Sequence, residues 1–174
     1  MKVGIFLFLA DKLFLPGLFA ALLLAEAGAR PMVIERGLAT PERVKKVEAF
    51  TKFGILDPEC NIQFGEGGAG TFSDGKLKVG GMDKYKYKVL SDFVNAGAPE
   101  DILYKSKPHI GTDILMQVIQ NMRNQILEWG GEIHFHHKFI DFECTSKSAN
   151  SFLCVNDRSS IVQFNCYTAY QHQW

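Results

Sequence analysis

Residues 16–37, PGLFAALLLAEAGARPMVIERG, restrict the possible folds more than any other stretch of the chain. Pro16 suits the first helical position, where its missing N–H is no loss. Leu18, Phe19, Leu22 and Leu23 recur at helical spacing, and Ala20, Ala21 and Ala25 allow close packing. Gly28 is a good helix stop. Pro31-Met32-Val33-Ile34 is then a short apolar run of the kind that forms a fully buried parallel strand. Glu35 follows at once, and Gly37 ends the unit. Helix, turn, strand and terminal acid make the second half of a βαβ dinucleotide-binding unit, in which that acid takes the adenosine ribose hydroxyls.

The first half lies upstream, and its pattern is altered. Val3 to Ala10 supplies a strand. Between strand and helix such folds carry Gly-x-Gly-x-x-Gly. Gly17 fits the third glycine, and counting back puts Lys12 and Phe14 at the other two. Neither lets a backbone approach a pyrophosphate as glycine does, and Phe14 adds bulk where the phosphates should lie.

At 174 residues the chain can bury one real core. No repeat, charge run or linker marks a second domain, so we read residues 1–174 as a single domain. Its formal net charge of +0 points to no nucleic-acid partner. Cys60, Cys144, Cys154 and Cys166 form no CxxC pair and read as reduced thiols of a cytoplasmic or organelle-stromal protein. A competing reading takes Met1 to Ala29 as an export signal, with Lys2, apolar runs and small residues at Ala25, Ala27 and Ala29. Asp11 and Lys12 split that stretch, which also argues against a membrane span of about 20 apolar residues.

Further along, Thr40-Pro41-Glu42 predicts an N-cap and first turn, and the helix runs through Val44, Val47 and Phe50 to about Phe53, ended by Gly54. Lys84 to Asn95 predicts a helix with Tyr87, Leu90 and Val94 on one face. Thr112 caps a longer helix from Asp113 to Trp129, with Leu115, Val118, Ile119, Met122 and Ile126 inward. Four short alternating segments follow from Glu132 onward and predict an antiparallel β-meander. The fold class is therefore α/β, a partial Rossmann-like domain with a parallel sheet, flanking helices and that meander.

Residues 61–77, NIQFGEGGAGTFSDGKL, are too glycine-dense for core structure. Successive N–H groups without intervening side chains can form an anion-binding nest, and Thr71 and Ser73 add hydroxyl donors. A flexible surface loop is the alternative. Phe64, Phe72 and Leu77 favour a loop pinned against other structure.

Taken together, the 16–37 and 61–77 stretches, AGAPEDILYKSKPHIGTD and GGEIHFHHKFIDF resemble the amino-terminal part of the uncharacterised FAD-dependent dehydrogenases, within the glutathione-reductase-like class of flavoproteins. The resemblance covers Pro16 to about Cys144. It implies FAD as cofactor and electron carrier in an oxidoreduction, with the substrate left open. It implies that the helix start near Gly17 faces the pyrophosphate, that Glu35 holds the ribose and that Arg36 sits by the adenosine. It implies further that the loop bearing Gly65, Gly67, Gly68, Gly70 and Ser73 lies along the flavin side, and that Lys138-Phe139 passes near the adenine. Outside that span the family pattern is lost at both ends, so the chain reads as a piece that binds FAD weakly or not at all by itself.

His134 and His136 share a strand face and could pair as metal ligands, but a zinc site needs three or four, and none is predicted. His109 stands just before a helix, where it either meets an anionic or flavin group or satisfies a loop carbonyl. Cys60 and Ser73 have no His placed in sequence to activate them. Phe6, Phe8, Phe14 and Phe19 read as core. A non-catalytic binding module of the same family is the rival to the flavin enzyme.

Overall fold

The computed structural model describes residues 5–9, 14–73, 76–77, 84–145, 148–156 and 158–165. Lys12 lies outside them, as do Asp74, Gly75 and the last nine residues. The side chains of Phe6 and Phe8 are likewise not described.

The chain is an α/β fold. Strand β1 (Ile5–Leu9) leads into helix α1 (Phe14–Glu26) and returns as strand β2 (Arg30–Ile34), parallel to β1. Helix α1 starts two residues before Pro16, which is tolerated because the N–H groups of the first turn have no partner within the helix. Gly28 ends it in the left-handed region at φ 80°, and its N–H donates to Ala25 O. In β2, Pro31 to Ile34 are all buried, as the apolar run requires.

Helix α2 (Thr40–Phe53) follows, then the glycine-rich loop with a 3-10 turn at Gly68–Phe72. Helix α3 (Lys84–Asn95), a second 3-10 turn at Glu100–Leu103 and helix α4 (Thr112–Glu128) complete the helical part. All five apolar positions predicted inward on α4 are buried. They form one core with Phe14, Leu18, Ala21, Leu22 and Ala25 of α1, Val33 of β2, and Leu90 and Phe93 of α3.

Strand β3 (Glu132–His134) corrects the expected meander boundary. It pairs parallel with β2, on the side away from β1, and gives the sheet order β1-β2-β3. Three residues are too few for alternation to reveal the partner; the preceding α4 makes this a crossover connection. The antiparallel meander begins at β4 (Lys138–Thr145) and continues through β5 (Ser148–Val155) and β6 (Ile161–Asn165).

Two predicted helix faces shift. On α2 the buried positions are Thr40, Arg43 and Val47, while Phe50 is exposed. On α3 Leu90 and Phe93 are buried and Tyr87 is exposed. The predicted caps shift as well: Ala39 and Gly111 hold the N-cap positions, and Thr40 and Thr112 open the helices. Among the described residues no helix is long and apolar enough to cross a membrane.

Candidate functional site

The carboxyl end of β2 is the organising point. In parallel α/β sheets ligands bind outside the carboxyl ends of the strands. Here the main chain of 35–37 is held between two segments. On one side Glu35 N–H donates to His134 O, His137 N–H to Glu35 O and His136 N–H to Gly37 O. His136 adopts φ 59°, so the strand ends at His134 and the predicted His134/His136 face does not form.

On the other side lies the glycine-rich loop. A Cβ on Gly37 would stand 2.5 Å from both Cα and N of Gly65 and 2.8 Å from the Phe64 carbonyl carbon. Only glycine lets these two backbones meet. The Glu35 carboxylate seals the junction: Oε1 accepts from Gly37 N–H and from Gly65 N–H, each at 2.8 Å. Glu35 is 1% exposed, so in this arrangement its carboxylate ties the loop to the strand.

Arg36 lies over the Phe64 ring, with its guanidinium carbon 4.2 Å from the centroid, and Nη1 is 3.7 Å from Glu59 Oε2. Lys138 Nζ reaches Glu59 Oε1 at 2.9 Å. Glu59 thus joins the residue after Glu35 to the start of β4, where Phe139 pairs with Cys154. Glu35, Arg36, Gly65 and the Lys138-Phe139 strand are gathered in one region.

Gly67 and Gly68 adopt φ 84° and 61°. A side chain at Gly67 would overlap the Thr71 hydroxyl. Gly70 faces open space, and Ser73, exposed, donates its hydroxyl to Gly70 O at 2.8 Å. At the far end of the loop Leu77 N–H donates to Pro108 O, and Lys76 bridges to the exposed His109.

Two buried charged side chains set this loop. Arg43, 0% exposed, donates from Nε to Asn61 O at 3.0 Å and from Nη2 to Ile62 O at 2.8 Å. Its Nη1 donates to Gly65 O and Glu66 O. The guanidinium stands 4.8 Å from the Phe72 centroid. Burial pulls the arginine down to about 10, opposed by the charges of Cys60, Glu35 and Glu66. Glu66, also 0% exposed, accepts from Thr40 N–H and Oγ1 at 2.7 Å, capping α2 in place of a local side chain. It also accepts from Arg123 Nη1 of α4 at 3.0 and 2.9 Å. Helical spacing is the one signal that points to either ion, since Arg43 falls on the face of Thr40 and Val47.

Phe14 opens α1, is 1% exposed, and stacks on Phe135 at 6.4 Å between centroids. A Cβ on Gly68 would lie 3.9 Å from the Phe14 Cβ, which puts the loop beside the start of α1. Gly17 sits within the first turns of that helix, partly buried. A pyrophosphate at a helix amino terminus needs close backbone approach. Phe14 stands where the fingerprint carries its second glycine, and its ring is part of the hydrophobic core; residues 10–13, which would complete the turn, lie outside the described residues.

Cys60 is buried, and burial pushes its thiol up, against Leu38 N–H and Arg43, which lower it. His134 Nε2 meets Glu132 Oε2 at 3.0 Å, and His137 Nδ1 meets Phe135 O at 2.7 Å. Among the described residues no group of three His, Cys, Asp or Glu converges on one point.

No family model matches the chain. An uncharacterised protein of Clostridium beijerinckii is 50% identical over 122 residues, which cover 70% of this chain and 23% of that protein. The chain therefore spans less than a quarter of the length of that relative. Among solved structures, the glycerol-3-phosphate dehydrogenase from Bacillus halodurans complexed with FAD is similar at a TM-score of 0.56 and 11% identity, covering 97% of this chain and 34% of that one. THI4 from Thermovibrio ammonificans is similar at a TM-score of 0.53 and 12% identity, covering 96% and 54%. At such identities the likeness establishes the fold: the chain has the Rossmann-like α/β arrangement seen in a FAD-complexed dehydrogenase.

Proposed function

We propose that this chain is the FAD-binding part of a flavin-dependent oxidoreductase, a single incomplete domain that binds FAD weakly or not at all by itself. The observation that carries the reading is the junction of the glycine-rich loop with the end of β2, which gathers Glu35, Arg36 and Gly65 where such folds take a dinucleotide. Fold likeness to a FAD-complexed dehydrogenase supports it. In this reading Glu35 and Arg36 serve the adenosine, with Phe139 near the adenine. Gly17 allows close approach at α1, and Gly65, Gly67, Gly68, Gly70 and Ser73 follow the flavin side. FAD would supply the electron chemistry, and the protein position and electrostatics.

The buried Phe14 favours a second reading, a binding module of the same family without catalysis. Titration with FAD and FMN separates the two. Binding of FAD but not FMN, saturable and dependent on Glu35, supports the first. Binding of neither, in a folded chain with Phe14 replaced by Gly, supports the second.

A further inference from the structure

We propose that Arg43 is a positioning residue that holds the glycine-rich loop in its ligand-ready shape before any cofactor arrives. The inference rests on the FAD reading only for the identity of the ligand.

Carbonyls of a loop folded into the protein need donors, because a buried polar group without a partner is costly. Arg43 supplies them to Asn61, Ile62, Gly65 and Glu66 from one planar group. An arginine presents five N–H donors in a rigid fork, whereas lysine offers one flexible ammonium. The loop is shaped around this side chain. Gly65 sits at φ 118°, and a Cβ there would stand 2.5 Å from Arg43 Cδ. Phe72 closes over the guanidinium, and Glu66, turned the other way, binds α2 and α4. Carbonyls 61, 62, 65 and 66 are thereby drawn inward, and the opposite edge, Ala69 and Ser73 with Gly70 beside open space, is left at the surface. A loop ordered in advance does not charge its ordering entropy to the ligand.

The test is amide hydrogen exchange on the unmodified chain and on Arg43→Lys, both without FAD. The N–H groups of Gly65, Glu66 and Gly68 are hydrogen-bonded. In the unmodified chain they should exchange at least ~100-fold slower than in an unstructured peptide. In Arg43→Lys that protection should fall about tenfold or more while the amides of Ile119, Met122 and Ile126 stay unchanged. Unprotected loop amides in the unmodified chain, or equal acceleration of loop and α4, would overturn the proposal. Should Arg43→Lys fail to fold, Phe72→Leu, which removes the ring beside the guanidinium, decides instead: loop protection should fall while α4 stays unchanged, and unchanged loop protection would overturn the proposal. FAD titration in a Phe14→Gly background adds the ligand readout. Arg43→Lys should weaken affinity about tenfold, or about 1.4 kcal/mol. Equal affinities in chains that do bind FAD would confine Arg43 to a structural role and overturn the positioning claim. Because the exchange experiment contains no FAD, it decides the ordering of the loop even where the FAD reading fails.

Discussion

Replacing Gly37 by alanine attacks the contact that joins the loop to the sheet. The added methyl carbon would stand 2.5 Å from Gly65 Cα and N and 2.8 Å from the Phe64 carbonyl carbon, all of them backbone atoms. Ordinary carbon contacts lie at about 3.5–4.0 Å, so one segment must retreat by about 1 Å. Gly65 has little room, because Arg43 Cδ already occupies the space beside it and Glu35 Oε1 holds its N–H at 2.8 Å. Overpacking of this kind costs about 1–3 kcal/mol. Losing a hydrogen bond to a charged group costs about 1.5–3 kcal/mol more. The sum, roughly 2.5–6 kcal/mol, is a large part of a typical domain's stability of about 5–15 kcal/mol. Urea unfolding followed by far-UV circular dichroism should show the midpoint falling by the corresponding amount with the slope unchanged. Gly28→Ala is the control: it meets open space, and only its φ of 80° is strained. It should cost about 1–2 kcal/mol. If Gly37→Ala costs no more than Gly28→Ala, the close approach of the two backbones is wrong.

Glu66→Ala should destabilise by about 3 kcal/mol, the lower end for a broken buried pair because Arg123 retains some access to water; an unchanged urea midpoint would contradict the role of Glu66 in capping α2. Burial raises the Cys154 thiol from its ordinary 9.0 to about 11. A folded value above the unfolded one means stability is whole below about pH 9 and is lost as pH rises toward about pH 11, by at most about 3 kcal/mol. Unfolding midpoints measured across that window should fall in the unmodified chain and stay flatter in Cys154→Ala; parallel curves would refute the assignment.

What is legible in the sequence follows from periodicity. The five inward positions of α4 and the buried run of β2 are each decided by spacing within one element, and Gly28 by the local geometry of a helix end. The faces of α2 and α3 are harder to read, because Phe50 and Tyr87 are apolar in type yet lie exposed. Arg43 escapes a reading by residue type because its partners are main-chain carbonyls 18 to 23 residues away. A carbonyl has no signature in the sequence, and a charged side chain on a helix is ordinarily solvated. Glu66 is hidden for the same reason, since the helix it caps begins 26 residues earlier. The gathering of Glu35, Arg36 and Gly65 can be anticipated only through the family resemblance, as no local rule links them.

The proposed function turns on Phe14, which stands at a fingerprint-glycine position and is buried against Phe135; in that proposal its side chain denies a phosphate close approach to the backbone. Flavin fluorescence titrations of FAD into the unmodified chain and into Phe14→Gly test this most directly, with circular dichroism confirming that both are folded. One recovered phosphate contact of about 1.5–3 kcal/mol corresponds to roughly one to two orders of magnitude in affinity, offset in part by the packing lost with the ring. The predicted result is weak or undetectable binding by the unmodified chain and binding at least about tenfold tighter by Phe14→Gly. Tight binding by the unmodified chain that the substitution leaves unchanged, or no binding by either, would contradict it.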